Sequence, residues 1–325
     1  INTIYFGGGT PSLLSEDELN FLLETIRENF PVNPMAEITL EANPDDLSST
    51  QLHKIREAGI NRLSIGIQSF DDKVLHFLNR AHNSISAKSC VEEARQAGFK
   101  NISIDLIYAI PDQDHAMWKN NIQQALQLQP EHISSYSLTI EDKTVFGRWA
   151  ATGKLKAADD ETAAAQLEIL IDTLESAGLT QYEVSNFARP GFESKHNSSY
   201  WKQEKYLGVG PSAHSYNNHS RQYNLSNNHQ YIESMKRDVI PFTQEELTME
   251  DKVNDFLLTT LRTVWGADLK KLQTLYRYNL LGDQREYIDS LLSANFAKLE
   301  NDVLVLTKSG MLLADKIASD LFLLK

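Results

Sequence analysis

Residues that could hold a small polar ligand occur where several predicted strands end. Three glycines, Gly7–Gly9, follow the apolar stretch INTIYF and precede Thr10. Glycine backbone can turn its N–H groups towards a ligand and lets that ligand approach closely. Polar side chains also stand at or near the ends of the next three strands, at Glu41, Gln68 and Asp105. Carboxylates and an amide can bind amines and hydroxyls, and N–H groups can bind a carboxylate, so the set suits an amino acid and a ribose.

Each of these residues also has an ordinary structural explanation. The glycines could form a tight turn, and the polar side chains could cap neighbouring helices or bind loop backbone. One such residue would be ambiguous, but polar residues at successive strand ends favour a binding site. A buried carboxylate is costly unless it is paired, and Arg80, which follows the third strand, is the predicted partner of Asp105.

The motifs of several enzyme classes are missing from the sequence. It has no G-x-S-x-G elbow, no Walker lysine and no dinucleotide-binding G-x-G-x-x-G, and His196 and His214 lack the spacing of a zinc-protease helix. The single cysteine, Cys90, excludes an intrachain disulfide and any zinc or iron–sulfur site made from several thiolates of this sequence. We expect Cys90, within a helix, to be a small core or surface residue.

Charge and hydropathy exclude further classes. The sequence has 31 Lys and Arg against 44 Asp and Glu, a net charge of −13. This balance argues against a nucleic-acid partner, because phosphate contacts need clustered basic residues. No apolar run reaches the roughly 20 residues of a membrane helix, so we predict no transmembrane segment and leave peripheral membrane contact open. The single thiol and the lack of a signal-peptide pattern predict a cytoplasmic protein.

A repeat in the first half of the sequence predicts the helices and strands that must position the polar residues. Three times, at Gly59, Gly98 and Gly178, an amphipathic helix ends in a small residue and glycine, and a strand follows. The last of these strands is QYEVSNF, at 181–187. Such alternation predicts a parallel sheet, as a barrel or a doubly wound sheet, and the repeat favours the barrel. The strands are interpreted as nearly continuous apolar runs, and the chemistry is expected at their carboxyl ends.

The rest of the sequence changes character twice. Residues 186 to about 228 are rich in aromatic residues, Asn, Ser, Gly and His, which favours a functional loop region. From Pro241 onward, amphipathic helices are predicted, beginning with TQEELTMEDKVNDFLLTTLRT, and LENDVLVLT is predicted to form a hairpin. We therefore divide the chain into a β/α barrel at 1–185, an aromatic and histidine loop region that extends the barrel at 186–240, and a helical, winged-helix-like domain at 241–325.

An ordered series of motifs gives these elements a family resemblance. GGGTP, E-x-N-P, IGIQSF, DLIYAIP, YEVSNFA, HNSSYW and GVGPSAHSY occur in this order between Phe6 and Tyr216. The series resembles the oxygen-independent coproporphyrinogen III oxidase-like family of radical S-adenosylmethionine (SAM) proteins. The H-N-x-x-Y-W motif is more similar to the haem chaperone branch of that family than to its true oxidases. This motif consists of His196, Asn197, Tyr200 and Trp201.

The resemblance implies an α/β fold, the incomplete parallel β/α (TIM-like) barrel of radical SAM proteins. It implies that SAM binds to a 4Fe-4S cluster, whose fourth iron chelates the amino and carboxylate groups, and that reduction yields a 5′-deoxyadenosyl radical. It also implies a SAM site at the strand ends. The residues of that site are Gly8, Gly9, Thr10, Glu41, Gln68, Arg80 and Asp105.

Two functions are compatible with the resemblance. A haem chaperone would bind haem and pass it to an acceptor protein, with His196 as an axial ligand and Tyr200 and Trp201 stacked on the macrocycle. The same residues could instead pack over the barrel mouth. The alternative is an enzyme of porphyrin biosynthesis that oxidatively decarboxylates coproporphyrinogen III. A catalytically silent interaction module is a third interpretation, favoured only if the gene itself lacks the family's cysteines.

The cysteine motif is where the sequence departs from the family. The C-x-x-x-C-x-x-C motif of the family precedes GGGTP by some tens of residues, whereas six residues precede Gly7 here. We therefore expect the first strand and the cluster loop to be missing from this sequence, and the cluster to belong to a longer form. This form is expected to hold no metal cluster and to bind SAM weakly at most.

Overall fold

The chain divides into two units, Ile1–His196 and Asn197–Lys325, in a computed structural model that describes residues 1–323. The functional boundaries at 185 and 240 remain predictions. In the described residues, no helix combines the length and the apolar character needed to cross a membrane.

A seven-stranded sheet forms the centre of the first unit. Its strands are β1 (Thr3–Phe6), β2 (Glu37–Ala42), β3 (Arg62–Gln68), β4 (Ile102–Tyr108), β5 (His132–Ser137), β6 (Thr180–Glu183) and β7 (Asn186–Ala188). The strand order is β1-β2-β3-β4-β5-β7-β6, and β1 to β5 are parallel. A doubly wound sheet reverses its order part-way, whereas sequential right-handed crossovers put every helix on the same face. The predicted incomplete barrel is therefore confirmed.

Seven helices connect these strands. They are α1 (Glu16–Asn29), α2 (Ser49–Ala58), α3 (Asp72–Phe77), α4 (Ser84–Gln96), α5 (His115–Gln127), α6 (Val145–Ala151) and α7 (Asp160–Ser176). A capping box starts α1, where Ser15 and Glu18 bind each other's backbone N–H groups. Gly59, at the end of α2, has a φ of +110°, a left-handed conformation that turns the chain directly into β3.

The strands alternate in polarity, so their interpretation as nearly continuous apolar runs is wrong. On β3, Leu63 and Ile65 are fully buried and point to the helix-covered face, whereas Arg62 and Ser64 point to the opposite face. All four are buried, because both faces of this strand are covered. The inner face of the half-barrel is therefore polar, and the outer face is apolar.

The stretch QYEVSNF is also corrected. It is two strands, β6 and β7, joined by a tight turn and paired antiparallel with each other. The second of them, β7, inserts between β6 and β5 and is antiparallel to both. The polar side chains of Glu183 and Asn186 bind each other across this hairpin, which no repeat-based argument anticipates.

The second unit contains two small antiparallel sheets and several helices. Its strands are β8 (His214–Tyr216), β9 (Ser220–Asn224), β10 (Phe242–Glu246), β11 (Ala267–Asp268), β12 (Ala297–Glu300) and β13 (Val303–Leu306). Helix α8 (Lys195–Trp201) contains the boundary between the units. The helices that follow are α9 (Asn228–Met235), α10 (Met249–Leu261), α11 (Leu269–Tyr276), α12 (Leu280–Asp283), α13 (Arg285–Ser293), α14 (Lys308–Met311) and α15 (Ala314–Asp320).

The predicted hairpin is confirmed, since β12 and β13 pair antiparallel around Asn301 and Asp302. Two other predictions for this part are wrong. The segment from Phe242 to Glu246 is a strand paired with β9, not the start of a helix, because its residues complete a three-stranded sheet. The HNSSYW motif lies on helix α8, not in a loop, because Glu37 accepts hydrogen bonds from the N–H groups of Lys195 and His196 and so caps that helix.

Candidate functional site

The glycine turn after β1 leaves its backbone open to approach. Gly8 and Gly9 have φ values of +73° and +60°, in the left-handed region that glycine adopts most readily. A Cβ atom added to either residue would meet no heavy atom of the described residues within 4 Å. Thr10 follows, at the N-cap position of the 3-10 helix Pro11–Leu13 but without a capping hydrogen bond from its side chain. The turn therefore offers N–H groups and free space at the carboxyl end of β1.

Glu41 is tied to this turn by two hydrogen bonds. The hydroxyl of Tyr5 donates to Glu41 Oε1 at 2.6 Å, and the N–H of Gly8 donates to Oε2 at 3.2 Å. Burial, followed by the charge of Glu41, raises the pKa of Tyr5, so the phenol keeps its proton and acts as a donor. The carboxylate is thus held in one orientation against the glycine turn.

Asp105 lies on the inner face of β4, two strands away. Ser64 donates to its two carboxylate oxygens at 3.2 and 3.4 Å. Burial raises the pKa of Asp105 to about 6, although hydrogen bonding by Ser134 and the positive charge of Arg62 act in the opposite direction. The negative charge of Glu41 contributes to the rise, so the two carboxylates influence each other across this face.

Gln68 and Arg80 come together around Gly66 near the end of β3. Gln68 has a φ of +66°, which is strained for a residue other than glycine, and it follows an irregularity in the β3–β4 pairing. A Cβ atom on Gly66 would lie 2.8 Å from Gln68 Nε2 and 3.5 Å from an Arg80 nitrogen. Gly66 therefore makes room for both side chains.

The predicted pairing of Arg80 with Asp105 is wrong. One terminal nitrogen of Arg80 donates to the side chain of Asn43 at 2.7 Å and to the carbonyl of Gly66 at 3.0 Å. The physical reason is the side of β3 on which the acceptors lie, because Asn43 follows β2 and Gly66 is on β3, whereas Asp105 is on β4, the neighbour on the other side. The Nε atom of Arg80 is buried and has no hydrogen-bond partner within the described part of the chain.

Arg62, which the sequence argument missed, supplies the positive charge near Asp105. It is the first residue of β3 and is 2% exposed. Its charge lowers the pKa values of Asp105, His132 and His196. The period-two pattern of β3 could have revealed it, because a residue two positions before Ser64 must share its face.

His196 belongs to the same unit and lies against β1. Its Nδ1 atom is 2.9 Å from the hydroxyl of Thr3, and its ring stacks on Tyr5 with centroids 4.6 Å apart. Burial lowers the pKa of His196 to about 4, with Glu37 and Arg62 acting in opposite directions. The imidazole is therefore neutral at physiological pH. Through Tyr5, His196 is linked to Glu41.

Comparisons with known proteins identify the family of this chain. Residues 1–125 match the model of the radical SAM superfamily. The heme chaperone HemW of Bacillus subtilis is 36% identical over 319 residues, which cover 98% of this chain and 84% of that protein. The heme chaperone HemW of Lactococcus lactis is 34% identical over 98% of this chain and 83% of its own length. The chain belongs to the HemW family of radical SAM proteins.

A solved structure supports the same fold. Coproporphyrinogen III oxidase (HemN) from Escherichia coli, a radical SAM enzyme, superposes with a TM-score of 0.83 at 23% identity, over 99% of this chain and 78% of that one. At this identity the likeness concerns the fold. It agrees with the half-barrel sheet described above.

The remaining residues of the H-N-x-x-Y-W motif of this HemW-family chain lie in the second unit. Tyr200 is 37% exposed and makes an edge-on contact with Tyr206, with centroids 4.7 Å apart. The guanidinium of Arg262 lies 5.4 Å from the centre of the Trp201 ring, and Trp201 Nε1 is buried without a hydrogen-bond partner among residues 1–323. Asn197 is the first residue of this unit.

The single thiol of this HemW-family chain does not fit a metal cluster. Cys90 is buried in α4, and burial raises its pKa to about 12, so it stays protonated. The described residues contain no group of three or more His, Cys, Asp or Glu side chains arranged to hold a metal ion. Cys90 is a small core residue.

Proposed function

We propose that this protein is a haem chaperone, which binds haem and passes it to an acceptor protein. The observation that carries the proposal is similarity along nearly the whole chain to proteins named heme chaperone. A cytoplasmic location is part of the proposal, which the single thiol favours. Its acceptor is defined here only as a haem-binding protein.

The rim of the half-barrel fits SAM. Two glycines with open space above them can accept a close ligand, Glu41 and Asp105 can accept hydrogen bonds from amino and hydroxyl groups, and Arg80 keeps an unpartnered buried Nε among the described residues. We propose that Thr10 and Gln68 complete this site. Bound together with a 4Fe-4S cluster, SAM supplies one-electron chemistry in this superfamily. Cys90 alone cannot hold that cluster, so the cluster requires thiolates of a longer form.

We propose that the H-N-x-x-Y-W residues contact haem. A haem iron binds neutral imidazole, and burial keeps His196 neutral at physiological pH. Tyr200 and Trp201 provide rings that can stack on a macrocycle, and Asn197 provides an amide that can bind a polar substituent.

A haemin titration tests this proposal. The wild-type chain should give a saturable shift of the Soret band, and His196→Ala should change the absorption spectrum and weaken binding by roughly tenfold. His229→Ala, which removes an exposed histidine on α9, is the matched control and should behave as wild type. Unchanged affinity and spectrum in His196→Ala would remove His196 as a ligand.

Haem transfer and turnover of coproporphyrinogen III distinguish a haem chaperone from an oxidase. Haem-loaded protein should transfer its haem to an apo-globin, used as a generic acceptor, faster than free haemin partitions into it. A longer form loaded with its cluster should produce no protoporphyrinogen from coproporphyrinogen III under reducing, anaerobic conditions. Sustained production of protoporphyrinogen would replace the chaperone by the oxidase.

A further inference from the structure

A buried chain of hydrogen bonds leads from β6 to Asp105. The hydroxyl of Tyr182 lies 2.8 Å from His132 Nε2, and His132 Nδ1 lies 2.8 Å from the hydroxyl of Ser103. The hydroxyls of Ser103 and Ser134 are 3.4 Å apart. Ser134 is paired with Asp105 in the β4–β5 register, so its hydroxyl lies beside the carboxylate and helps to lower the pKa of Asp105.

The direction of this chain follows from its last member. An ionised carboxylate can only accept hydrogen bonds, so the Ser134 hydroxyl, which neighbours both Asp105 and the phenol of Tyr136, can bond the carboxylate only by giving it its single proton. The Ser134 oxygen must then accept from Ser103, and the Ser103 oxygen must accept from His132. The proton of a neutral His132 is therefore on Nδ1, and Nε2 accepts from Tyr182.

His132 is neutral inside the fold. It is 1% exposed, and burial, helped by the positive charge of Arg62, lowers its pKa well below the ordinary value. A neutral imidazole has one N–H and one acceptor nitrogen, so its two neighbours have opposite roles. Ser103, which is fully buried, receives the N–H.

We propose that His132 and Tyr182 are positioning residues for the SAM site, because the Nδ1–H tautomer of His132 directs the hydroxyls of Ser103 and Ser134 onto Asp105. This inference rests on the proposed function, which gives Asp105 its ligand. Ser64 donates to Asp105 from β3 and Ser134 lies beside it on β5, so the carboxylate is held between two strands. A carboxylate held in this way binds a ligand without first losing its own rotational freedom.

The tautomer is measured directly by nitrogen-15 NMR of the histidine rings in the full 325-residue chain. The His132 signal is assigned by its absence from the His132→Asn variant. We expect a protonated Nδ1 and an unprotonated Nε2. A protonated Nε2 would overturn the inference, because the hydrogen-bond direction would then run away from Asp105.

The effect on Asp105 is measured by carbon-13 NMR titration of its carboxyl group. His132→Leu should raise the pKa of Asp105 by about one pH unit, because Ser103 and Ser134 are no longer oriented. His132→Asn keeps an amide N–H near the position of Nδ1 and should restore most of the wild-type value. His53→Asn alters an exposed histidine on α2 and should leave Asp105 unchanged. An unchanged Asp105 in a folded His132→Leu variant contradicts the inference.

Tyr182→Phe provides a second variant in case His132→Leu does not fold. Removing the hydroxyl leaves Nε2 without this donor, so the expected result is a mixture of the two His132 tautomers and a smaller rise of the Asp105 pKa. A pure Nδ1–H tautomer in folded Tyr182→Phe would exclude Tyr182 from the positioning role.

Equilibrium dialysis with labelled SAM separates this inference from the proposed function. If the SAM site is correct, Asp105→Asn and His132→Leu should both weaken SAM binding by roughly threefold to tenfold. A loss in Asp105→Asn but not in His132→Leu would overturn the positioning role alone. Wild-type affinity in Asp105→Asn would overturn the SAM role of Asp105 itself, whatever the tautomer of His132.

Discussion

The two faces of the half-barrel sheet are made from alternate residues of the same strands, yet they have opposite effects on the stability of the fold. On β4, Ile102, Ile104 and Leu106 point outward and are fully buried. Between them, Ser103 and Asp105 point inward and belong to the hydrogen-bond network of the proposed SAM site. The outer face stabilises the fold by removing apolar surface from water. The inner face carries charges that burial destabilises.

This difference shows that one strand can serve stability and binding at once, because its side chains alternate. The inner face must satisfy its polar groups with one another. It does so through Tyr5 on Glu41, Ser64 on Asp105, and Thr3 beside His196. Substitutions on the outer face should therefore reduce stability most, whereas those on the inner face should change pH dependence and binding.

The largest effect is expected on the outer face. Ile104→Ala should lower the free energy of unfolding of the first unit by about 3 to 4 kcal/mol, because it leaves a cavity in a close-packed core. Urea denaturation followed by circular dichroism measures it. Ile232→Ala, at a residue that is 51% exposed, is the control and should change stability by less than about 0.5 kcal/mol. Equal effects in the two variants would break the comparison.

The next effect is the pH dependence produced by His196. Its folded pKa, about 4, lies below the ordinary histidine pKa of 6.5, so its contribution to stability is complete above pH 6.5 and is lost as pH falls towards 4. Between pH 7 and pH 5 this loss should be roughly 2 kcal/mol. His196→Gln should remove that part of the wild-type dependence in urea titrations, and His229→Gln should retain it. The same pH dependence in wild type and His196→Gln would contradict the burial of His196.

Replacing Asp105 with asparagine is expected to stabilise the fold. Its folded pKa, about 6, lies above the ordinary aspartate pKa of 3.8, so the ionised carboxylate destabilises the fold fully above pH 6, and this effect fades as pH falls through 3.8. Asp105→Asn should raise the free energy of unfolding by about 1 to 2 kcal/mol at pH 8 and by less than about 0.6 kcal/mol at pH 4. Thermal melts at both pH values measure this. Destabilisation at pH 8 would show that the inner face contributes to stability.

The smallest effect on stability is expected in the glycine turn. Gly8→Ala should cost about 1 kcal/mol, because φ is +73° while space for a Cβ is available. Gly191→Ala is a matched control, since its φ is +84° and its Cβ would likewise meet no described heavy atom within 4 Å. Both variants should melt alike, whereas only Gly8→Ala should weaken SAM binding. Equal SAM binding in the two variants would remove the turn from the site.

Much of the sheet could be predicted from the sequence. The helix–glycine–strand repeat predicted the parallel strands, because a small residue and a left-handed glycine end a helix wherever they occur. The alternation of Arg62, Ser64 and Asp105 with apolar neighbours was equally visible, but it was overlooked in favour of continuous apolar runs. The hairpin of β12 and β13 was predicted because its strands and turn are local.

Contacts between residues that are far apart in the sequence could not be predicted from local sequence patterns. The partner of Arg80 depended on which strands flank β3 and which of them its side chain reaches, and the insertion of β7 next to β5 depended on pairing across the sheet. The helical state of HNSSYW depended on Glu37, which is about 160 positions earlier and caps α8.

The sequence by itself determined the glycine helix ends of the first half, the five parallel strands, the family resemblance and the residue types at the proposed site, because these follow from short-range patterns. Only the tertiary structure decided which polar groups meet. A hydrogen bond requires its two atoms to lie within about 3 Å, and the order and register of the strands set that distance. The sequence thus supplied Asp105, His132 and Tyr182, and the fold joined them into one directed chain.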